Sequence, residues 1–421
     1  MSSSKKKLAR LLAKGGVHDP FAALRYRDYR LFTAGRVLLF TGSQMQTVAL
    51  GWELYDRTNS ALVLGGVGLA QVLPMIALTF IAGHFADKSD RQRTTLVSIV
   101  LLILCSLALA VISHTRGSLV LVYTFLALTG VARAFLKPAS DALMWQLIPV
   151  NAFANAATWN STSFQIATVI GPALGGFAIA TFGSATGVYI LAAIAALLCF
   201  IFTAAIKQRT TILSQEPLSL KALSAGVKFI WQNQLILAAI TLDMFAVLLG
   251  GAVALLPIFA KDILHVGPVE LGYLQAAPSI GALIMALVLA CLPPTNKAGP
   301  ALLWSVAGFG AVTIIFGLSR WLWLSVLMLA LSGALDSISV VIRHTLVQIK
   351  TPDRLRGRVA AINNVFISAS NELGGFESGL TAALFGPVIS VVGGGIGTIV
   401  VVIATAIIWP EIRKLGNLGN L

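Results

Sequence analysis

The sequence predicts an all-α integral membrane protein of twelve transmembrane helices in two six-helix, pseudo-symmetric bundles. Three observations carry that expectation. Of 421 residues, 57% are hydrophobic and only 11% are charged, against about 25% charged in an ordinary soluble domain. Apolar runs long enough to span a bilayer, about 20 residues each, recur from one end to the other. Two long stretches also repeat each other's punctuation at a nearly constant offset.

Taken in chain order, the first segment, 1–30, is basic: it carries Lys5, Lys6, Lys7, Arg10, Lys14, Arg25, Arg27 and Arg30. It reads as a cytoplasmic segment that favours anionic lipid headgroups. The apolar run behind it is too long for a signal-peptide core, so an uncleaved first span is expected. An amino-terminal bundle, 31–206, holds spans at 31–55, 61–83, 95–113, 119–144, 155–182 and 186–206. Turn-forming and charged clusters such as Asp56-Arg57-Thr58-Asn59-Ser60 and His114-Thr115-Arg116-Gly117-Ser118 separate them. The longest interruption, 207–233, passes Gln215-Glu216-Pro217 and continues through Lys221, Lys228 and Trp231. It reads as a cytoplasmic linker with an interfacial helix. A carboxy-terminal bundle, 234–409, follows with spans at 235–260, 269–292, 300–319, 321–345, 359–384 and 391–409, and 410–421 forms a cytoplasmic tail.

The net charge of +14 invites a nucleic-acid reading, but the positions of the charges argue against it. About 22 of the 30 Lys and Arg residues fall on the side of the termini, and only Arg57, Arg116, Lys261 and Arg320 fall in the opposite loops. That asymmetry places both termini in the cytoplasm, in a plasma (inner) membrane, with lipids rather than nucleic acid as the surrounding partner. Cys105, Cys199 and Cys291 show no CxxC spacing, so neither disulfides nor a metal framework is expected. The chain contains no GxxxxGK[ST] phosphate loop and no HExxH. An ATP-driven pump and an intramembrane metalloenzyme are therefore not expected, and neither is a cofactor.

The repetition is specific. Gly68, Gln71 and Pro74 recur as Gly272, Gln275 and Pro278, 204 positions on; Gly130, Pro149, Asn160 and Gly171 recur as Gly333, Pro352, Asn363 and Gly374, 203 positions on. A tandem duplication of six-helix halves, related by an axis along the membrane normal, accounts for both offsets. Such halves enclose a site near the midplane.

Between the second and third spans runs Gly83-His84-Phe85-Ala86-Asp87-Lys88-Ser89-Asp90-Arg91-Gln92-Arg93. This resembles the loop signature of the major facilitator superfamily: a Gly, an Asp four residues on, then a basic cluster. The resemblance implies a gating loop built on Gly83, Asp87, Lys88, Arg91 and Arg93 that contacts the eleventh span and holds the cytoplasmic side shut. The second-half equivalent, Leu292-Pro293-Pro294-Thr295-Asn296-Lys297, is degenerate, so one such latch is expected. Gly171, Pro172, Gly175 and Gly176 in the fifth span are similar to the packing motif of exporters in the superfamily, whose small residues let helices approach the other half. The runs Arg27-Asp28-Tyr29-Arg30-Leu31-Phe32, Gly42-Ser43-Gln44-Met45-Gln46 and Thr58-Asn59-Ser60, with Ala134-Phe135 and Pro138-Ala139, resemble the enterobactin-exporter-like branch. That likeness implies export of siderophores or lipophilic drugs.

Ionisable groups at spanning depth cost about 2.5–3.5 kcal/mol each on insertion scales, so they require partners or a function. Arg133, Lys137 and Asp141 lie at i, i+4 and i+8 on one face of the fourth span. Lys137 and Asp141 are expected to pair locally. Arg133 is expected to pair across the cavity with Asp336, its counterpart on the tenth span. Asp243 and Glu372 are the other deep carboxylates, and with Asp336 and Arg133 they form the candidate proton-coupling set. Arg36, Glu53 and Arg343 are expected to snorkel toward the interfaces. Gln44, Gln46, Gln71, Asn160, Gln165, Gln275 and Asn363, with Asn371, are candidate cavity-lining residues; interhelical hydrogen bonding accounts for them equally well.

The reading that unites these features is a monomeric, proton-coupled exporter of amphipathic small molecules working by alternating access. A lipid or lysolipid flippase is the alternative within transport. A non-transporting membrane receptor or scaffold is the alternative outside it.

Overall fold

The computed structural model describes residues 21–207, 220–291 and 297–416. The Lys5–Lys14 cluster, most of the linker and most of the 292–297 turn lie outside the described residues, as do the side chains of Asp87 and Lys88.

Twelve long helical segments make up the described chain. They are α1 Arg27–Thr58, α2 Ala61–Lys88, α3 Arg91–His114, α4 Leu119–Gln146, α5 Phe153–Phe182, α6 Ala185–Ala204, α7 Gln234–Ile263, α8 Pro268–Cys291, α9 Ala298–Leu318, α10 Leu322–Lys350, α11 Asp353–Phe385 and α12 Pro387–Ile408. Ten are apolar and long enough to cross a membrane by composition alone; α1 and α11 are not among them. These two carry residues such as Arg36, Glu53, Asn363 and Glu372 along their length, the composition of helices that face a polar interior rather than lipid. Elsewhere large apolar side chains stand exposed, Val97, Val120, Leu287 and Ile407 among them. In water such a surface would aggregate; in a bilayer it is the solvated face.

Local chemistry sets the helix ends. Asp90 caps α3 by accepting from the backbone N–H groups of Gln92 and Arg93. Ser118 does the same for α4 through Val120. Gly183 ends α5 at φ +67°, a left-handed geometry that glycine adopts without a Cβ penalty. The Gly83–Lys88 run is not a loop: α2 continues through it to Ser89. The seventh span is not the continuous helix that its apolar run suggests. Regular helix stops at Leu249, and Gly250 and Gly251 lead into a 3-10 turn, Ala252–Leu255, and a π-helical turn, Phe259–Ile263. Adjacent glycines and Pro257 disfavour an unbroken helix here. Such irregular backbone is tolerated at membrane depth where it lines a cavity.

The packing reproduces the internal repeat. In the first half α1 packs on α5 and α6, α2 on α4, and α3 on α4 and α6. The second half repeats each pairing, with α7 on α11 and α12, α8 on α10, and α9 on α10 and α12. The repeated glycines mark the crossings. A Cβ on Gly130 would overlap the backbone of Gln71 at α4–α2, and one on Gly333 would overlap Pro278 at α10–α8. Gly171 touches Thr41 and Gln44 of α1, and Gly374 touches Val247 and Leu248 of α7. Small residues let backbones meet where lipid supplies no hydrophobic drive.

The halves join through α5–α8 and α2–α11. Their contacts gather at one face. Gly65 lies against Gly375 and Gly379, Gly272 against Pro172, and Gly51 against Pro257, all toward the ends of the helices remote from the termini. At the opposite face, where α1 begins and α12 ends (the terminal face), Gly83 of α2 and Gly357 of α11 have nothing within 4 Å of an added Cβ. Among the described residues, the seams between the halves lie at the far face. The linker helix Leu220–Gln232 packs on α11 and α7, with Ile230 buried beside Ile236, Val359 and Ile362.

Gly333→Val should lower stability by about 1–3 kcal/mol, because the added methyls enter a backbone contact that cannot give. Gly393→Ala, in open space, should be neutral. Thermal unfolding of purified protein in detergent compares the two, and equal midpoints would show that the α8–α10 crossing is not close-packed.

Candidate functional site

Between the halves lies a cavity of about 580 Å³. Ser43, Gln44, Gln71 and Arg133 face it from the first half, and Gln275, Asp336, Asn371 and Glu372 face it from the second. The broken stretch of α7, from Gly250 to Pro257, forms part of the wall, with Phe309, Phe316 and Met328 supplying apolar surface.

Arg133 does not pair with Asp336. Its guanidinium donates to Gln71 Oε1 at 2.8 Å and to Ser43 Oγ at 2.7 Å, and the carboxylate that acts on it electrostatically is Glu372. The local reason is packing. Gly130 brings α4 onto the α2 backbone at Gln71, one turn from Arg133, so the nearest acceptors belong to α1 and α2. Among the described residues, neither Asp336 nor Glu372 has a side-chain hydrogen bond or ion pair. Two carboxylates and one arginine thus face the same space.

Five further charge expectations need correction. Asp141 pairs with Arg36 of α1 at 3.0 Å rather than with Lys137. Arg36 therefore does not snorkel; it also lies over the rings of Phe32 and Phe40, 5.4 and 5.1 Å from their centroids. Asp243 forms an ion pair with Arg343, and both side chains are buried. That removes Asp243 from the cavity and Arg343 from the interface, since each is the other's only means of staying charged in the bundle interior. Glu53 is held within the bundle, accepting from Tyr189 at 2.8 Å and pairing with Arg57 at 3.3 Å.

The remaining candidates divide. Gln46 and Asn160 line a second cavity, of about 900 Å³, lined mainly by the first bundle and by His344 of α10, and Gln46 accepts a hydrogen bond from Ser106 there at 3.0 Å. Gln165 and the buried Asn363 line neither cavity. Gly171 and Gly175 of the exporter-like motif pack on α1 of their own half; Gly176, against Pro268, is the one of the three glycines that faces the other half. In the Gly83–Arg93 run, Arg91 is buried with its guanidinium 3.5 Å from the Ala142 carbonyl, and Arg93 pairs with Asp90 at 3.6 Å.

A far-face latch went unnoticed in the sequence. Lys261 Nζ lies 2.6 Å from Asp56 Oδ1 and over the Tyr55 ring, and the Tyr55 hydroxyl donates to Asp262. These four residues join the ends of α1 and α7, equivalent helices of the two halves. The available signal was complementary charge at matching ends of repeated spans.

Asp243→Ala should destabilise the protein by about 3–5 kcal/mol, because it strands the Arg343 charge in the bundle interior. Asp243→Ala combined with Arg343→Leu should recover most of that loss in the same thermal-unfolding assay. A double variant no better than the single one would show that the pair is not the cause.

Comparison with known proteins places this geometry. The chain is 25% identical over 350 residues to the multidrug efflux pump Tap of Mycolicibacterium fortuitum, covering 79% of this chain and 84% of that protein. It is 25% identical over 394 residues to the enterobactin exporter EntS of Shigella flexneri, covering 92% of each. In fold it is similar to the POT family transporter PepTSo, with a TM-score of 0.74 at 11% identity over 92% of this chain and 99% of that one. It is also similar to an inward-facing bacterial homologue of the human lysosomal transporter Spinster, with a TM-score of 0.70 at 14% identity over 93% and 98%. The family model described as transmembrane secretion effector matches residues 18–415. A multi-pass, all-helical membrane protein with the twelve-helix architecture of major facilitator transporters, this chain belongs to the transmembrane secretion effector family.

Proposed function

We propose that the protein is a proton-coupled exporter of amphipathic small molecules, working by alternating access in the inner membrane with its terminal face in the cytoplasm. The observation that carries this reading is the central cavity, shared by both halves, lined by Arg133, Asp336 and Glu372 and latched at the far face. A binding site reached from the basic, cytoplasmic side is what an exporter presents before loading. The relatives are consistent with that direction, since Tap is a multidrug efflux pump and EntS an enterobactin exporter.

Asp336 and Glu372 are the coupling candidates. A carboxylate with no fixed partner in a cavity wall can take a proton without breaking a structural bond. Protonating Glu372 would also remove the charge that acts on Arg133, so proton binding and cargo binding meet at one arginine. A proton moving inward supplies about 2.3 kcal/mol per 100 mV of potential, enough with a pH gradient to drive cargo uphill. The Gly83–Arg93 run and the first turns of α11 would close the terminal face in the alternate state, with Asp87 facing Gly357-Arg358. The cavity is complete within one chain, so a monomer suffices.

In proteoliposomes, a lipophilic dye should move faster when a pH gradient is imposed. Asp336→Asn or Glu372→Gln should abolish that acceleration while leaving the unfolding midpoint unchanged. Movement indifferent to the gradient would support a lipid flippase instead, and no movement in any condition would favour a scaffold.

Neutralising the latch with Asp56→Asn and Lys261→Gln should shift the population toward a state open at the far face. Spin labels on the far-face ends of α1 and α7 should then report a longer distance. An unchanged distance distribution would show that the latch does not hold that face closed.

A further inference from the structure

The second cavity has no place in the mechanism above. It is lined mainly by α1, α3, α4, α5 and α6 of the amino-terminal bundle, with Met75 of α2 and His344 of α10 completing its wall, and it meets the central cavity at Ser43, Gln44 and Arg133. Its walls are largely apolar, with Leu39, Ile99, Leu102 and Leu136 facing the space. Phe40 and Phe164 form an edge-to-face pair at its rim, with ring centroids 5.6 Å apart. At about 900 Å³ it is within the range of sites that enclose a drug-sized ligand.

In the second half, the equivalent region among α7, α9, α10 and α12 is packed with Leu242, Leu302, Val306, Ile342, Leu346 and Val402, and the Asp243–Arg343 pair is buried beside it. In the first half the same helices carry a smaller packed cluster, Ile99, Ala196 and Cys199 with Leu39, Leu136 and Phe200 against them, and the chamber lies beside it.

Charge then separates the two connected cavities. In the central cavity Asp336 and Glu372 outnumber Arg133. In the chamber Arg36, Lys137 and Arg133 outnumber Asp141, and Asp141 is already paired with Arg36. Lys137 is exposed and has no ion pair among the described residues. Arg133, at the neck, is held by two neutral acceptors, Gln71 and Ser43. A molecule with an apolar aromatic body and a negative group would therefore find its body enclosed and its charge met by Lys137 and Arg133. A cation of the same shape would face an excess of like charge.

From this geometry we infer that the chamber lined mainly by the amino-terminal bundle is a binding subsite for amphipathic organic anions. The aromatic or apolar body enters between α1 and α4, and the anionic group rests against Lys137 and Arg133. The inference deepens the exporter reading by naming the class of cargo.

Two fluorescent probes with the same body and opposite charge test it: dansylglycine, a carboxylate, and dansylcadaverine, an ammonium. Binding to the purified full chain in nanodiscs is read by fluorescence anisotropy and requires no turnover. Dansylglycine should bind at least roughly tenfold more tightly than dansylcadaverine, the scale of one charge-assisted hydrogen bond. Lys137→Gln should weaken dansylglycine by about tenfold, and Lys137→Arg should preserve it, because both keep an exposed polar side chain but only the second keeps the charge. Leu102→Trp, which fills the chamber, should weaken dansylglycine further. Equal or tighter binding of the cation, no binding of either probe, or indifference to Lys137→Gln would each overturn the inference. Binding of dansylglycine without gradient-driven transport would leave the subsite standing and count against the exporter reading. Transport of both probes without selective binding would do the reverse.

Discussion

A charge at membrane depth needs a partner, water or a function, and that constraint organises this molecule. Each half meets it once with a cross-helix ion pair: Arg36 of α1 with Asp141 of α4, and Asp243 of α7 with Arg343 of α10. The pairs occupy related positions with their signs exchanged, and each ties the first helix of its half to the fourth, both of which line the central cavity. Glu53, Arg57 and Tyr189 form a third closed set. With those charges accounted for, Arg133, Asp336 and Glu372 remain in the wall of the central cavity. The coupling and cargo roles proposed above fall on the cavity charges that take no part in those pairs.

The seams between helices supply the freedom to respond. Where the halves meet, Gly65, Gly375 and Gly379 put backbone against backbone, as do Gly272 and Pro172. Surfaces of this kind hold by van der Waals contact and lack long side chains that interlock. The alternating-access proposal assigns the pivot to these seams, while the closer crossings at Gly130 and Gly333 lie inside each half. The polar contacts Asp56–Lys261 and Tyr55–Asp262 join the far-face ends of α1 and α7, the place from which a latch would act in the proposed cycle.

Symmetry of fold coexists with asymmetry of interior. The five helix pairings of one half recur in the other, yet the first half holds a small packed cluster beside a chamber where the second holds a larger aliphatic cluster. The break in α7 at Gly250-Gly251 adds a second difference, since α1 runs unbroken from Arg27 to Thr58. Duplication supplies two equivalent scaffolds, and divergence of side chains gives each a different task.

Composition and spacing alone determined the membrane class, the number of spans and the repeat. These follow from apolar run length and from glycines that recur where backbones must touch, and both are local properties of the chain. The sequence also pointed to most of the polar residues of the central cavity, because a glutamine, arginine or carboxylate in an apolar span stands out by itself. It did not determine who pairs with whom. The expected Lys137–Asp141 and Arg133–Asp336 pairs gave way to Arg36–Asp141 and to Arg133 with Gln71 and Ser43, since interhelical distance depends on crossings set by residues far away in the chain. The chamber beside the first bundle's small cluster, the larger cluster of the second and the polar contacts at the far face are likewise decided by how six helices pack around one another. Position along a single helix carries no record of that packing.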